Sequence, residues 1–441
     1  VRNGLALIVG RFRNNALALV NAIVAVLNSI LYIRAFGISA TSDALYYATS
    51  VVISFSLLSG FFTEQFLQYY NDFKHTDTEK ASTFLAFNLA ALTLFGVALF
   101  AGFQLMLPTI LRLLYPTLAG TQQALIAGFL RIMGLELFLA GINGLLQGLA
   151  ISYGRIREIY GAKIIASSIT LLGQVLIVAA VLRPLDYPWM VVVSSATFAL
   201  ALILVSRQAL RKAAGAVCRI DGAFLFSLRH YFFNSITMRF GHNLQGFLLP
   251  LITSAFWSGF QGNMATCYGY GSKFYAAIQS VIIGPSQMEV QHSISNDVSK
   301  GTYARVEKTI REYIRLYAPV TVIASAGVLV MLPALIRLIN HSIDEQSIAL
   351  IRISFIFLSV WLVVQCIESP YVITIIARKQ SAIFISTNAI KLAVIAIIIL
   401  VFRRFYVSIL MANIVSQIVS LAIYRARVQS ILAVEQGRAG Q

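Results

Sequence analysis

The chain has 441 residues, of which 58% are hydrophobic and only 12% charged, about half the roughly 25% charge of a soluble globular protein. With a mean hydropathy of +0.79, this composition excludes a soluble enzyme, a disordered chain and a coiled coil, and leaves an all-α polytopic membrane protein. The 34 Lys and Arg against 17 Asp and Glu, a net charge of +17, would suggest nucleic acid in a soluble protein but is here first a topology signal.

A helix needs about 20 apolar residues to cross the hydrocarbon core. Twelve such stretches follow one another. Spans 1 to 6 are expected at residues 15–36, 44–68, 82–107, 122–150, 160–182 and 188–206. Spans 7 to 12 are expected at 224–256, 263–290, 313–338, 347–377, 381–402 and 405–424. The run Trp257-Ser258-Gly259-Phe260-Gln261-Gly262-Asn263 predicts the turn between spans 7 and 8. The loops are too short for an extramembrane domain. Three scattered cysteines (Cys218, Cys267, Cys366) form no CxxC pair and the five histidines no HExxH motif, so neither a disulfide framework, a metal site nor a cofactor is expected. The first apolar stretch is long and lacks a small-residue cleavage site, so no signal peptide is expected.

With the N-terminus placed in the cytoplasm, one side holds Arg2, Arg11, Arg13, Lys74, Lys80, Arg155, Arg157, Lys163, Arg207, Arg211, Lys212 and Arg219. The same side holds Lys300, Arg305, Lys308, Arg378, Lys379, Arg425, Arg427 and Arg438. The other holds Arg112, Arg183, Arg337, Arg403 and Arg404. This bias predicts both termini on the cytoplasmic side and uses most of the basic excess, so that nucleic-acid binding is not expected.

The sequence also resembles itself. Met106-Leu107-Pro108-Thr109-Ile110-Leu111-Arg112-Leu113 recurs as Met331-Leu332-Pro333-Ala334-Leu335-Ile336-Arg337-Leu338, and Asn71-Asp72 as Asn296-Asp297. Glu64 pairs with Glu289 at the same spacing, and Arg131 with Arg352 at nearly the same one. Two six-span lobes are therefore expected, residues 1–214 and 215–441, repeated in parallel about an axis along the membrane normal. Transporters of that kind bind substrate between the lobes and rock them.

A charge at mid-bilayer costs about 2.5–3.5 kcal/mol on insertion scales and needs a reason. The basic candidates are Arg34, Arg131, Arg229, Arg239, Lys273, Arg352 and Lys391; the acidic ones are Asp43, Glu64, Glu136, Glu289 and Glu368. Snorkelling to an interface is the plainer reading of Arg34, Arg229 and Glu64. A cavity with surplus positive charge suits a phosphate or pyrophosphate, gripped bidentately by Arg and as a point charge by Lys. Pro250, Pro285, Pro319 and Pro370 predict kinks in spans 7 to 10, whereas Pro108 and Pro116 lie together at one span end. Gly144 and Gly148 form a GxxxG packing face. Residues 303–316 place Val306, Ile310, Tyr313 and Ile314 on one face, the pattern of an interfacial helix leading into span 9.

Arg34-Ala35-Phe36-Gly37-Ile38-Ser39-Ala40-Thr41-Ser42-Asp43-Ala44 resembles the A-R-x-F-G…T-D-A-F signature of the MurJ/MviN lipid II flippases. Tyr270-Gly271-Ser272-Lys273 falls on that family's Y-A-D-R, and Gln291-His292-Ser293-Ile294-Ser295 on its L-P-S-L-S. The resemblance implies the wider superfamily of MurJ, Wzx-type polysaccharide flippases and MATE exporters. It puts Lys273 in place of a central-cavity arginine that holds the lipid pyrophosphate, Asp43 in place of a functional aspartate, and Arg34 in place of the arginine ending span 1. The family's span 1 arginine pair falls on Ala22 and Asn28, and its adjacent span 2 arginines near Ser56 and Leu57. Twelve spans replace its usual fourteen.

The expected function is a flippase moving a polyprenyl-pyrophosphate-linked oligosaccharide or peptidoglycan precursor across the membrane by alternating access. Its expected substrate-binding residues are Lys273, Arg239, Arg34, Arg131 and Arg352; those for coupling to a cation or proton, or for gating, are Asp43, Glu136, Glu289 and Glu368. The rival is a MATE-like, ion-coupled exporter of small cationic compounds, for which acidic residues would line the cavity. No enzymatic activity is expected: a glycan polymerase or ligase would need large catalytic loops.

Overall fold

The computed structural model describes residues 16–63, 65–241, 244–260, 264–380, 382–402 and 405–439. Among them every regular element is helical. The first half contains α1 (Ala16–Phe36), α2 (Ala40–Ser59), α3 (Phe66–Thr76), α4 (Thr78–Leu114), α5 (Gly120–Met133), α6 (Leu135–Ser152), α7 (Ile156–Val178) and α8 (Tyr187–Ala216). After a short α9 (Gly222–Ser227) come α10 (Arg229–Gly241), α11 (Leu244–Ser258), α12 (Met264–Ile278) and α13 (Gly284–Ser299). The last four are α14 (Tyr303–Ile339), α15 (Glu345–Ala377), α16 (Ile383–Val401) and α17 (Ser408–Ala439).

Local chemistry sets several starts. Ser39 caps α2 through a reciprocal pair with Ser42, and Asp77 caps α4 by accepting the Glu79 and Lys80 N–H groups at 3.0 Å. Each satisfies donors that a helix N-terminus leaves orphaned. The turn expected near residues 257–263 falls between α11 and α12. Span 7 is not one helix: it is divided into α9, α10 and α11, with Leu228 and Tyr231 packed among Phe66, Phe84 and Leu92 of the first half. Pro108 lies inside α4, which runs on to Leu114, rather than at a span end. Residues 303–316 are no separate interfacial helix but the first turns of the continuous α14, with Val306, Ile310 and Tyr313 buried.

Among the described residues, eight helical segments are long and apolar enough to cross a membrane: α4, α5 with α6, α7, α8, α14, α15, α16 and α17. They display large apolar side chains outward, Leu105 at 83%, Val330 at 78% and Leu338 at 75% exposure. Such a surface needs hydrocarbon around it, and the chain is a multi-pass membrane protein. Spans 1, 2, 7 and 8 are built from α1, α2 with α3, α9 to α11, and α12 with α13. These occupy the centre: α1 packs on α7 and α12, and α2 on α5, α6 and α11.

The repeat spacing recurs in the helix boundaries. α4 and α14 both have 37 residues, displaced by 225 at each end (78 to 303, 114 to 339). The segments Gly120–Ser152 and Glu345–Ala377 both have 33 and the same displacement. Gly144 and Gly148 behave as a packing face, since an added Cβ would touch Thr63 and Phe66 respectively at 3.4 Å.

Candidate functional site

The four central spans enclose a cavity of about 300 Å³ lined mainly by α1, α2, α11 and α12, with Trp361 of α15 also contributing. Hydroxyl and aromatic groups dominate, among them Ser42, Tyr46, Thr253 and Tyr268. Lys273 is the single charged side chain among the described lining residues. It sits in the middle of α12, and its ammonium stands 4.1 Å from the centre of the Tyr32 ring on α1. Desolvated cation–π contacts of this kind contribute about 2 kcal/mol. Ser29 of α1 donates to the Lys273 carbonyl at 3.2 Å. No described carboxylate lies within ion-pair distance of the ammonium. The positive charge therefore faces the cavity supported by a ring quadrupole and uncompensated by an acid.

One end of the cavity is stitched between the two halves. Asp43, in the first turn of α2, accepts the Thr266 backbone N–H at 3.1 Å and the Thr266 hydroxyl. Ser42 and Thr266 share a hydrogen bond of 3.1 Å. Tyr270 donates to the carbonyl of Gly37, whose φ of +54° suits the turn between α1 and α2. Fully buried Tyr115 donates to Ser254 at 2.9 Å. Asp43 thus joins two spans here and turns its carboxylate to Thr266.

A second seam joins the two halves of the chain. Asp72, on α3, pairs with Lys379, just past α15. The Lys379 ammonium lies 4.3 Å over the Tyr69 ring, and Ser299 donates to Asp72 at 3.4 Å. Gln68 donates to Ser295 at 3.2 Å and Asn234 to Tyr69 at 2.9 Å. These residues do not line the cavity, and they join the two halves of the chain away from it.

The other sequence candidates are not brought to this cavity. Arg34, Arg131 and Arg352 are exposed and are not among its lining residues. The cluster of arginines around Lys273 does not assemble from them, because each helix turns that face outward. Arg239 lies on α10, its side chain outside the described residues, as is Glu64. Glu289 is half-buried on α13, away from the lining. Glu136 faces the interior of the first half, where Ser195 of α8 donates to it at 2.6 Å and its second oxygen is buried. The break at Gly134 separates it from Arg131. Glu368 is 4% exposed inside the second half, accepting from Gln417 and Ser420, and Lys391 donates to the same Gln417 at 3.1 Å. Charges so buried require partners of this kind.

Residues that the sequence left unnoticed are Tyr32, Tyr46, Tyr268 and Trp361, together with the Asp72–Lys379 bridge. Aromatic residues inside the spans were the available signal for the first four; nothing local marks a bridge across more than three hundred residues.

No protein-family model matches the sequence, and no curated protein matches it. Solved structures do match in fold. A MOP superfamily transporter from Pyrococcus furiosus Vc1, described as having a binding pocket of reverse polarity that suggests a different function, superposes with a TM-score of 0.69. Its identity is 15%, covering 96% of each chain. A MATE protein in its straight conformation gives a TM-score of 0.67 at 14% identity over 97% of this chain and 96% of its own. An inward-facing multidrug resistance MATE family transporter of the MOP superfamily gives 0.63 at 15% over 94% and 99%. The chain has the fold of the MATE and MOP superfamily transporters.

Proposed function

We propose that the protein is a flippase for a lipid-linked anionic glycan, in which residues 1–214 and 215–441 act as two lobes around the central cavity. The observation that carries this reading is the lone Lys273 charge among the described lining residues. A pyrophosphate is the natural partner of an ammonium that no carboxylate neutralises. Tyr32 orients the lysine, and the surrounding hydroxyls offer hydrogen bonds to phosphate oxygens or sugar. The lipid tail stays in the bilayer while the head group crosses. Rocking of the lobes, driven by membrane potential or an ion gradient, releases one seam and closes the other. Asp43, the half-buried Glu136 and Glu289 and the buried Glu368 are the candidates for coupling or gating. Both termini lie in the cytoplasm of a bacterial inner membrane.

Export of small organic cations is the second reading. It is favoured by the aromatic lining, since Tyr and Trp faces attract cations, and opposed by the ammonium among them. A leaflet-accessibility assay in vesicles separates the two. Lys273→Ala is expected to lower translocation of a polyprenyl-pyrophosphate glycan by more than about tenfold, with Lys273→Arg retaining most of it. Loss of one desolvated, charge-assisted contact, worth about 2 kcal/mol, accounts for that magnitude. Undiminished translocation by the alanine variant would rule out the site, and Lys273-independent protection of cells against cationic drugs would favour the exporter.

A further inference from the structure

A second cavity, of about 500 Å³, opens between α14 and α17, with Tyr371 of α15 contributing. Arg311 and Arg315 of α14 line one wall, and Arg425 and Gln429 of α17 the other. Beside them lie Ile310, Ile314, Val428 and Leu432. Glu307 also lines the cavity, and Arg311 donates to it at 2.9 Å. Arg315 and Arg425 are exposed and make no ion pair among the described residues. The groove therefore offers two uncommitted guanidinium forks above apolar walls.

Its position along the helices matters as much. Eight residues beyond Arg315, Ile323 is 71% exposed, and seven before Arg425, Ile418 is 49% exposed. At 1.5 Å per residue, the arginines sit about 10–12 Å from side chains that need hydrocarbon. That is the level of lipid phosphates, at the end of the bundle where basic residues concentrate. The feature has no counterpart in the first half: positions 225 residues before Arg311 and Arg315 are Ala86 and Ala90.

We propose that this groove binds the phosphate of an anionic phospholipid from the adjoining leaflet, with Arg315 and Arg425 gripping the phosphodiester and the apolar wall holding the upper acyl chain. A guanidinium fork matches phosphate oxygens bidentately, and basic pockets between spans at the cytoplasmic surface recognise anionic head groups. Free phosphate shares the charge but has no use for Ile310, Ile314, Val428 and Leu432. The inference does not depend on what the central cavity transports.

Native mass spectrometry of the full chain, released from micelles containing equimolar phosphatidylglycerol and phosphatidylcholine, tests it. The wild type is expected to retain phosphatidylglycerol with a preference of about thirtyfold, from two arginines acting at the membrane surface. Arg315→Gln with Arg425→Gln brings the preference near parity, whereas Arg305→Gln, exposed and outside the groove, keeps it. Either single variant gives an intermediate preference, and a thermal midpoint matching the wild type in phosphatidylcholine shows that the double variant is folded. Millimolar inorganic phosphate leaves the bound lipid in place. Equal retention of the two lipids by the wild type, an equal loss in Arg305→Gln, or displacement by inorganic phosphate would each overturn the proposal, the last by assigning the groove to a soluble anion.

Discussion

Lys379 shows how one side chain can be held against its backbone preference. It adopts φ +58° just past α15, where its N–H bonds to the Ile376 carbonyl. The matching position of the first half, 225 residues earlier, is Gly154 at φ +68°, bonded in the same way to Ile151. Both close a helix with a left-handed residue, for which glycine is suited and lysine costs about 1 kcal/mol. The lysine there spans the two halves to Asp72. A third of each side chain is exposed, so the pair contributes only about 0.5–1 kcal/mol. Lys379→Gly is expected to move the thermal midpoint little, because relief of the backbone offsets loss of the pair. Asp72→Asn keeps the strain and loses the pair, and should destabilise by roughly 1 kcal/mol. Equal destabilisation by both variants in thermal unfolding would show that the left-handed lysine stores nothing. This bridge was illegible in the sequence, where each partner is one basic or acidic loop residue among many. Lys273, by contrast, stands out as the charge that ends the charge-free run 240–272. Arg131 and Arg352 were equally visible, but which way a residue faces around its helix is set by packing, and both face outward.

At the scale of the helix, twelve apolar stretches were legible because hydrocarbon tolerates few charges along a span. Their ends were less so. Pro108 signalled an end of span 3, yet α4 continues through it to Leu114. A proline removes one backbone hydrogen bond, and neighbouring helices and local adjustments make that tolerable in membrane spans. Caps distinguish the two halves even where lengths coincide. Asp77 caps α4 with two bonds, whereas Thr302, 225 residues on, makes no capping bond to α14 and instead donates to Asp297. Asp77→Ala should therefore lower stability by about 1 kcal/mol. Thr302→Ala should cost clearly less, since no orphaned helix donor loses a partner. The midpoints of the two variants in thermal unfolding check this; a larger loss for Thr302→Ala would contradict it.

Across the whole molecule, the two seams between the halves of the chain differ in composition. The end bearing Asp43 is held by hydroxyl and carbonyl groups around one carboxylate, with Tyr115 and Tyr270 buried against it. The other relies on the one-third-exposed Asp72–Lys379 pair and on amide and hydroxyl contacts of Gln68 and Asn234. Buried seams resist water and salt, whereas an exposed ion pair is screened at ordinary ionic strength. On the proposed alternating-access reading, rocking of the lobes should thus begin at the Asp72–Lys379 seam and require the greater reorganisation at the Asp43 seam. The Ser42 and Thr266 hydroxyls, 3.1 Å apart, allow this to be tested by tethering. Ser42→Cys with Thr266→Cys, oxidised to a disulfide, is expected to hold the Asp43 end closed. Translocation should then fall by more than about tenfold and recover on reduction, while each single cysteine variant transports. Meanwhile a cysteine at Ser299, on the other seam, should remain open to a membrane-impermeant thiol reagent in the tethered protein. Unimpaired transport by the oxidised pair would mean that this seam does not part during the cycle. Loss of labelling at residue 299 would mean that the two seams close together rather than in turn.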